Sequence, residues 1–169
     1  MADFKFAKVN DTPLNRDGET SEPTFTGTEG DLIGLTENVD GETEVVGADA
    51  DSAAPQPAMG VLLEEVRDRS YWNVNLHDNG TMARQIDETY NKNRTQPGDE
   101  VTYVRYGIYL ENVDDDTDFT PNEPVYLDVG GGVTQTAPSG SGEIVQVLGV
   151  AVDAETFMLD VEATYDTLA

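Results

Sequence analysis

Apolar residues recur in this chain at alternate positions over short runs, and glycine, proline, asparagine or aspartate interrupts each run before it grows long. Phe157, Leu159 and Val161 share one side of such a run, with Met158, Asp160 and Glu162 opposite. A period of two is the mark of a half-buried strand. Tyr71 to Leu76 alternates in the same way, and the Asn79-Gly80 pair is a strong hairpin signal that turns it into a second strand over Thr81 to Ile86. Further strands are predicted over Leu32 to Leu35, Thr43 to Val46, Gly60 to Val66, Val101 to Leu110, Pro124 to Val129 and Glu143 to Val152. Asp40-Gly41 is a turn. Ala48 to Ala58, small and proline-containing, reads as a loop with room for one helical turn before Pro55, and Asp87 to Gln96 as a helical turn or an exposed loop. No capped amphipathic run with helical spacing occurs. The expected fold is mainly β, a small antiparallel barrel or sandwich.

The amino-terminal residues 1–29 read differently. One alternating run places Phe4 and Phe6 on the same side, and Pro13, Gly18, Pro23, Gly27 and Gly30 follow among polar residues. That stretch cannot pack a core of its own, so it is expected to be an extended arm, either a loose tail or a segment that adds to a neighbouring subunit's sheet. Residues 30–169 form the body. Within it, Ala58-Met59-Gly60-Val61-Leu62 echoes Val147-Leu148-Gly149-Val150-Ala151. A glycine inside a buried strand marks a bulge or a close backbone approach. Two such strands at similar offsets from Leu32 to Leu35 and from Val125 to Leu127 point to two similar β-units packed in one barrel, the alternative being coincidence in a valine- and glycine-rich chain.

Charge changes the picture more than any motif does. Asp and Glu number 34 against 9 Lys and Arg, a formal charge of -25 on 169 residues. Self-repulsion of that size opposes compaction. It fades as salt shortens the screening length from about 10 Å at 0.1 M to about 3 Å at 1 M. Acids run from Asp3 to Asp166 rather than clustering, which favours adaptation to concentrated salt over mimicry of a nucleic acid. A nucleic-acid partner is not expected, because phosphate neutralisation needs patches of Lys and Arg. Nor is a membrane partner, because no apolar stretch approaches the roughly 20 residues of a spanning helix. Met1 to Asn10 lacks the apolar core of a secretory signal.

Candidate chemistry is sparse. With no cysteine and His77 as the sole histidine, multi-histidine and thiolate metal sites are ruled out. Asp114, Asp116 and Asp118 alternate like the start of a calcium loop. The sixth position, however, is Phe119 where glycine is needed, and the twelfth is Val125 rather than a bidentate glutamate. They are at most a weak cation site, and a solvated acidic turn is the plainer reading. Ser139-Gly140-Ser141-Gly142 lacks the nucleophile-elbow pattern and reads as a loop. Gly130-Gly131-Gly132 has no lysine or helix after it and reads as a turn between strands. Abundant carboxylates make any one pair undiagnostic of glycoside hydrolysis. No catalytic residue and no cofactor is expected.

The order Asn122-Glu123-Pro124-Val125-Tyr126-Leu127, Gly130-Gly131-Gly132-Val133-Thr134, Val145-Gln146-Val147-Leu148-Gly149-Val150-Ala151 resembles blocks in head decoration (cement) proteins of tailed viruses. Gly30-Asp31-Leu32-Ile33 and Ala58-Met59-Gly60-Val61 are similar to the first half of that pattern. The resemblance spans residues 30–163, and the stretch between Gly60 and Val125 is longer than the family's compact core. It implies a β-barrel or β-tulip body that trimerises on the outer capsid surface and bridges major capsid proteins; the acidity adds a virus of halophilic archaea. Phe4, Phe6 and Phe25 are the expected apolar anchors at that interface. A tail or spike-associated β domain that binds a host-surface receptor is the alternative.

Overall fold

The computed structural model describes residues 4–9, 16–20, 25–66, 98–112 and 118–169, with the backbone alone for 4–9, 16–20 and 112. The Tyr71-to-Leu76 and Thr81-to-Ile86 strands, the Asn79-Gly80 hairpin, Asp87 to Gln96 and His77 fall outside the described residues.

Alternation decides which side of each strand is buried, and pairing then assembles thirteen strands among the described residues. These are β1 (Phe4–Val9), β2 (Arg16–Thr20), β3 (Leu32–Glu37), β4 (Thr43–Gly47), β5 (Gly60–Leu62), β6 (Glu100–Val104), β7 (Tyr106–Asn112), β8 (Pro124–Leu127), β9 (Val133–Thr134), β10 (Ile144–Val145), β11 (Val147–Ala151), β12 (Thr156–Asp160) and β13 (Asp166–Thr167). Among the described residues there is no helix. The mainly β expectation therefore holds. A six-stranded sheet has the order β1-β7-β12-β11-β8-β9, a five-stranded sheet the order β2-β6-β5-β3-β4, and β10 and β13 form a separate ribbon. All the paired strands are antiparallel.

Strands β3, β5 and β6 of the five-stranded sheet are buried on both faces. Leu32, Val61 and Val104 turn toward the six-stranded sheet and join Ile108, Leu110, Val125, Leu127, Leu148, Phe157 and Leu159 in the larger core cluster. Their strand neighbours Ile33, Leu62 and Tyr103 turn the other way and pack with Phe25, Val45, Val66 and Val101 in a second cluster. The sheet curls so that its edge strands β2 and β4 approach each other around this second cluster. At the centre of the larger cluster the Phe119 and Phe157 rings meet edge to face, with centroids 5.8 Å apart.

The internal echo extends to topology. In chain order β2, β3, β4, β5, β6 make the spatial order β4-β3-β5-β6-β2, and β7, β8, β9, β11, β12 make β9-β8-β11-β12-β7. The two orders are the same, with β1 added beyond β7. Local geometry repeats as well. Gly30 donates its N–H to Leu62 O at 2.9 Å and Leu62 donates to Asp31 O at 2.9 Å. Asn122 donates likewise to Ala151 O at 2.9 Å, and Ala151 to Glu123 O at 3.0 Å. Gly30 and Asn122 both take positive φ, 99° and 65°.

The two hairpin turns match in the same way. Gly41 N–H donates to Asn38 O (3.1 Å) and Gly131 N–H to Asp128 O (3.2 Å), each glycine at φ 81°. Their surroundings differ: a Cβ on Gly131 would fall 2.6 Å from Ala48 O, whereas one on Gly41 would meet only Glu37 Oε1, at 3.4 Å. Alanine at Gly41 should therefore cost about 1–2 kcal/mol, the left-handed backbone penalty alone. Alanine at Gly131 should cost clearly more, because the steric term is added. Chemical denaturation of the two variants checks this, and equal losses would contradict it.

Three predicted strands are divided by the structure. Val101 to Leu110 breaks at Arg105, and Gly107, at φ 83°, lets the chain leave one sheet as β6 and join the other as β7. Glu143 to Val152 splits at Gln146, so β10 pairs with β13 and β11 with β8 and β12. Gly60 to Val66 ends as a strand at Leu62; beyond it Leu63 N–H donates to Thr102 O and Val66 bridges Gly27. The loop before Pro55 does close one turn, with Ala54 N–H donating to Asp51 O at 3.3 Å.

Candidate functional site

The segment read as an arm pairs with its own chain. Phe4 and Phe6 lie on β1, opposite Asn112 and Leu110 of β7 in register. Arg16 to Thr20 runs along β6. Phe25 is 8% exposed within the second cluster. Its ring contributes to the body's own core, and the docking contacts expected of it must come from other side chains. Asp114 and Asp116 are outside the described residues, and Asp118 is exposed. Among the described residues no three His, Asp or Glu side chains converge on a metal-sized site. Gly130 to Gly132 makes the β8–β9 turn and Ser139 to Gly142 a loop, as their compositions imply.

One concavity lies where the two repeated units meet. About 270 Å³ is enclosed between Phe25, Thr26, the Gly30–Leu32 backbone, the end of β4 with Ala48 and Asp49, and Gly130-Gly131. Its carboxylates are already committed. Asp31 Oδ2 accepts the Thr28 N–H at 2.8 Å, and Asp49 Oδ1 accepts the N–H groups of Asp51 and Gly130, each at 2.8 Å. Asp49 therefore ties the long loop of the first unit to the glycine turn of the second. The cleft is a structural joint.

A second joint is Gln146, the buried polar side chain of the described residues, 2% exposed. Its Oε1 accepts the Ala58 N–H at 2.7 Å, while its Nε2 donates to Ala58 O at 2.8 Å and to Glu162 O at 2.9 Å. Both functions of the amide are used, as burial requires. Nothing in the local sequence marks Gln146 for this; it stands in an apolar run and gives no periodic signal.

The outer face of the six-stranded sheet carries apolar side chains without such commitments. Ile108 and Leu110, Phe157 and Leu159, and Val125 and Leu127 point inward, so Tyr109, Met158 and Pro124 point out. Register places Tyr109 opposite Met158, Met158 opposite Val150, and Val150 opposite Pro124. Four apolar side chains thus form one straight row across β7, β12, β11 and β8. Met158 and Val150 are 39% and 40% exposed. Backbone register sets Lys8 of β1 opposite Tyr109.

Acids flank this row. Glu111 and Asp160 stand two residues from Tyr109 and Met158 on the same face, both exposed. A shallow cleft beside the row is lined by Glu111, Asp153, Ala154, Glu155 and Thr156. Asp153 accepts the Glu155 N–H at 3.0 Å, and that backbone hydrogen bond holds its carboxyl below the ordinary carboxylate range. Asp153 therefore keeps its negative charge to lower pH than an ordinary carboxylate does. An apolar strip with an acidic border can hold a complementary surface.

No protein-family model matches the chain, and no curated protein matches it.

Proposed function

We propose that this chain is a structural virion protein that decorates the outer capsid surface of a tailed virus of halophilic archaea, stabilising the shell by bridging major capsid proteins as a homotrimer. The observation that carries the reading is the apolar row aligned across four strands of a strongly acidic β body. A clamp needs a rigid scaffold and a binding face, and needs no catalytic group. Two copies of one antiparallel topology, joined through Gln146 and Asp49, supply the scaffold. The formal charge of -25 suits a particle that persists in brine, where repulsion is screened.

A cryo-electron microscopy reconstruction of the source particle tests this. The expected result is density for the two-unit β body repeated over the whole shell. Density confined to the tail or its spikes would replace this reading with receptor binding, and absence from the particle would end both.

A further inference from the structure

The geometry points to the Tyr109–Met158–Val150–Pro124 row as the docking face for a partner protein surface with an apolar centre and a border of lysine or arginine. The identity of that partner rests on the capsid reading, which makes it the surface of the major capsid protein. The chemistry is read from the face itself.

Half-exposed apolar side chains aligned over four adjacent strands present a flat strip that water solvates poorly, and covering it is favourable in proportion to the area removed from solvent. Contact area of this kind survives in brine, where exposed ion pairs fade. The border decides which occupant fits. Docking brings Glu111 and Asp160 against whatever covers the row and partly out of water, where salt screens charge much less. Carboxylates placed there favour bases and disfavour acids. A second copy seated row against row would bring the same Glu111 and Asp160 borders together. A base-rimmed partner removes that conflict.

The test uses the full chain and source particles stripped of it, with binding measured in molar salt. Val150→Thr together with Met158→Gln keeps side-chain size and strand preference while making the row polar. It should weaken binding about tenfold or more, because two apolar contacts are lost and polar groups are buried in their place. Glu111→Lys with Asp160→Lys should weaken it several-fold. Both variants alter exposed positions, so an unchanged circular dichroism spectrum and melting temperature will separate binding from folding. If V150T/M158Q binds as the original chain does, the row is not the docking face, although the capsid reading stands. If E111K/D160K binds equally well or more tightly, the partner's border is not basic and the assignment fails. If V150T/M158Q instead lowers the sedimenting mass of an oligomer, the occupant is a second copy and the assignment fails again. Failure of the original chain to bind stripped particles removes the capsid reading and this inference together.

Discussion

Replacing Gln146 with leucine is expected to lower the unfolding free energy by about 3–5 kcal/mol, a large share of the roughly 5–15 kcal/mol that holds a domain of this size together. The size matches glutamine closely, so the loss comes from polar groups and not from a void. Leucine leaves the Ala58 N–H and the Ala58 carbonyl without partners, and Ala58 is fully buried. Each orphaned buried group costs about 1–3 kcal/mol. The Glu162 carbonyl, nearer the surface, loses its partner with less effect because water can reach it. Gln146→Glu is the sharper control: it preserves shape and the acceptor to Ala58 N–H but turns the donor that faces the Ala58 and Glu162 carbonyls into a second acceptor. It should be at least as damaging as leucine. Denaturant titrations at fixed salt, with the slope unchanged, measure both. A loss below about 1 kcal/mol for leucine would mean that the amide does not join the two units.

A second large effect is expected at Gly149, where alanine should cost about 3 kcal/mol or more. Gly149 sits in β11 between β8 and β12, where pairing shifts register between Val147 and Gly149. A Cβ there would overlap the Met158 carbonyl oxygen, with the carbonyl carbon at 3.0 Å and the Asp160 nitrogen at 3.3 Å. These are backbone atoms of a paired strand, so no rotamer change relieves the contact and β12 must move off β11. That displacement would disturb Phe157 and Leu159, both fully buried. Gly60→Ala should act in the same direction in the other sheet, since a Cβ would lie 2.6 Å from Val104 O and 2.8 Å from the Tyr103 ring. Melting temperatures report the effect. A Gly149→Ala protein as stable as the original would show that β11 and β12 do not approach this closely.

The same two glycines show how far the primary structure can be read. Gly60 and Gly149 stood out as interruptions of apolar runs, and a glycine in such a run has few explanations besides a bulge or a close approach. Both expectations hold. The matching offsets around them pointed to two similar units, because a repeated order of strand, turn and strand leaves a repeated order of apolar and breaker residues. The identical strand orders of the two sheets extend that echo to β2 and β7, which carry no matching motif.

Division of the strands was less legible. Val101 to Leu110 is uniformly rich in strand-forming residues, and only Gly107 hints that the chain changes sheets there. Gln146 splits another run, yet a polar residue in a strand is ordinarily taken to face water; its burial follows from Ala58, 88 positions away. Phe25, apolar and within the segment 1–29 that cannot pack a core of its own, is expected to anchor a partner. It is buried because Ile33, Leu62 and Tyr103 of the curled sheet surround its side, and that surrounding is created by strands distant in sequence.

Periodicity determined that the chain is mainly β, which side of each run turns inward and where the glycine turns fall, since each of these depends on residues adjacent in sequence, and composition determined that the chain is acidic. Met158 was already marked as outward-facing by its own strand. Only the tertiary structure decided that Tyr109, Val150 and Pro124 stand in line with it, that β3, β5 and β6 are buried on both faces, and that Gln146 and Asp49 join the halves. Those outcomes depend on register between strands far apart in the chain, and register is fixed by the packing of the whole core, which no local pattern contains.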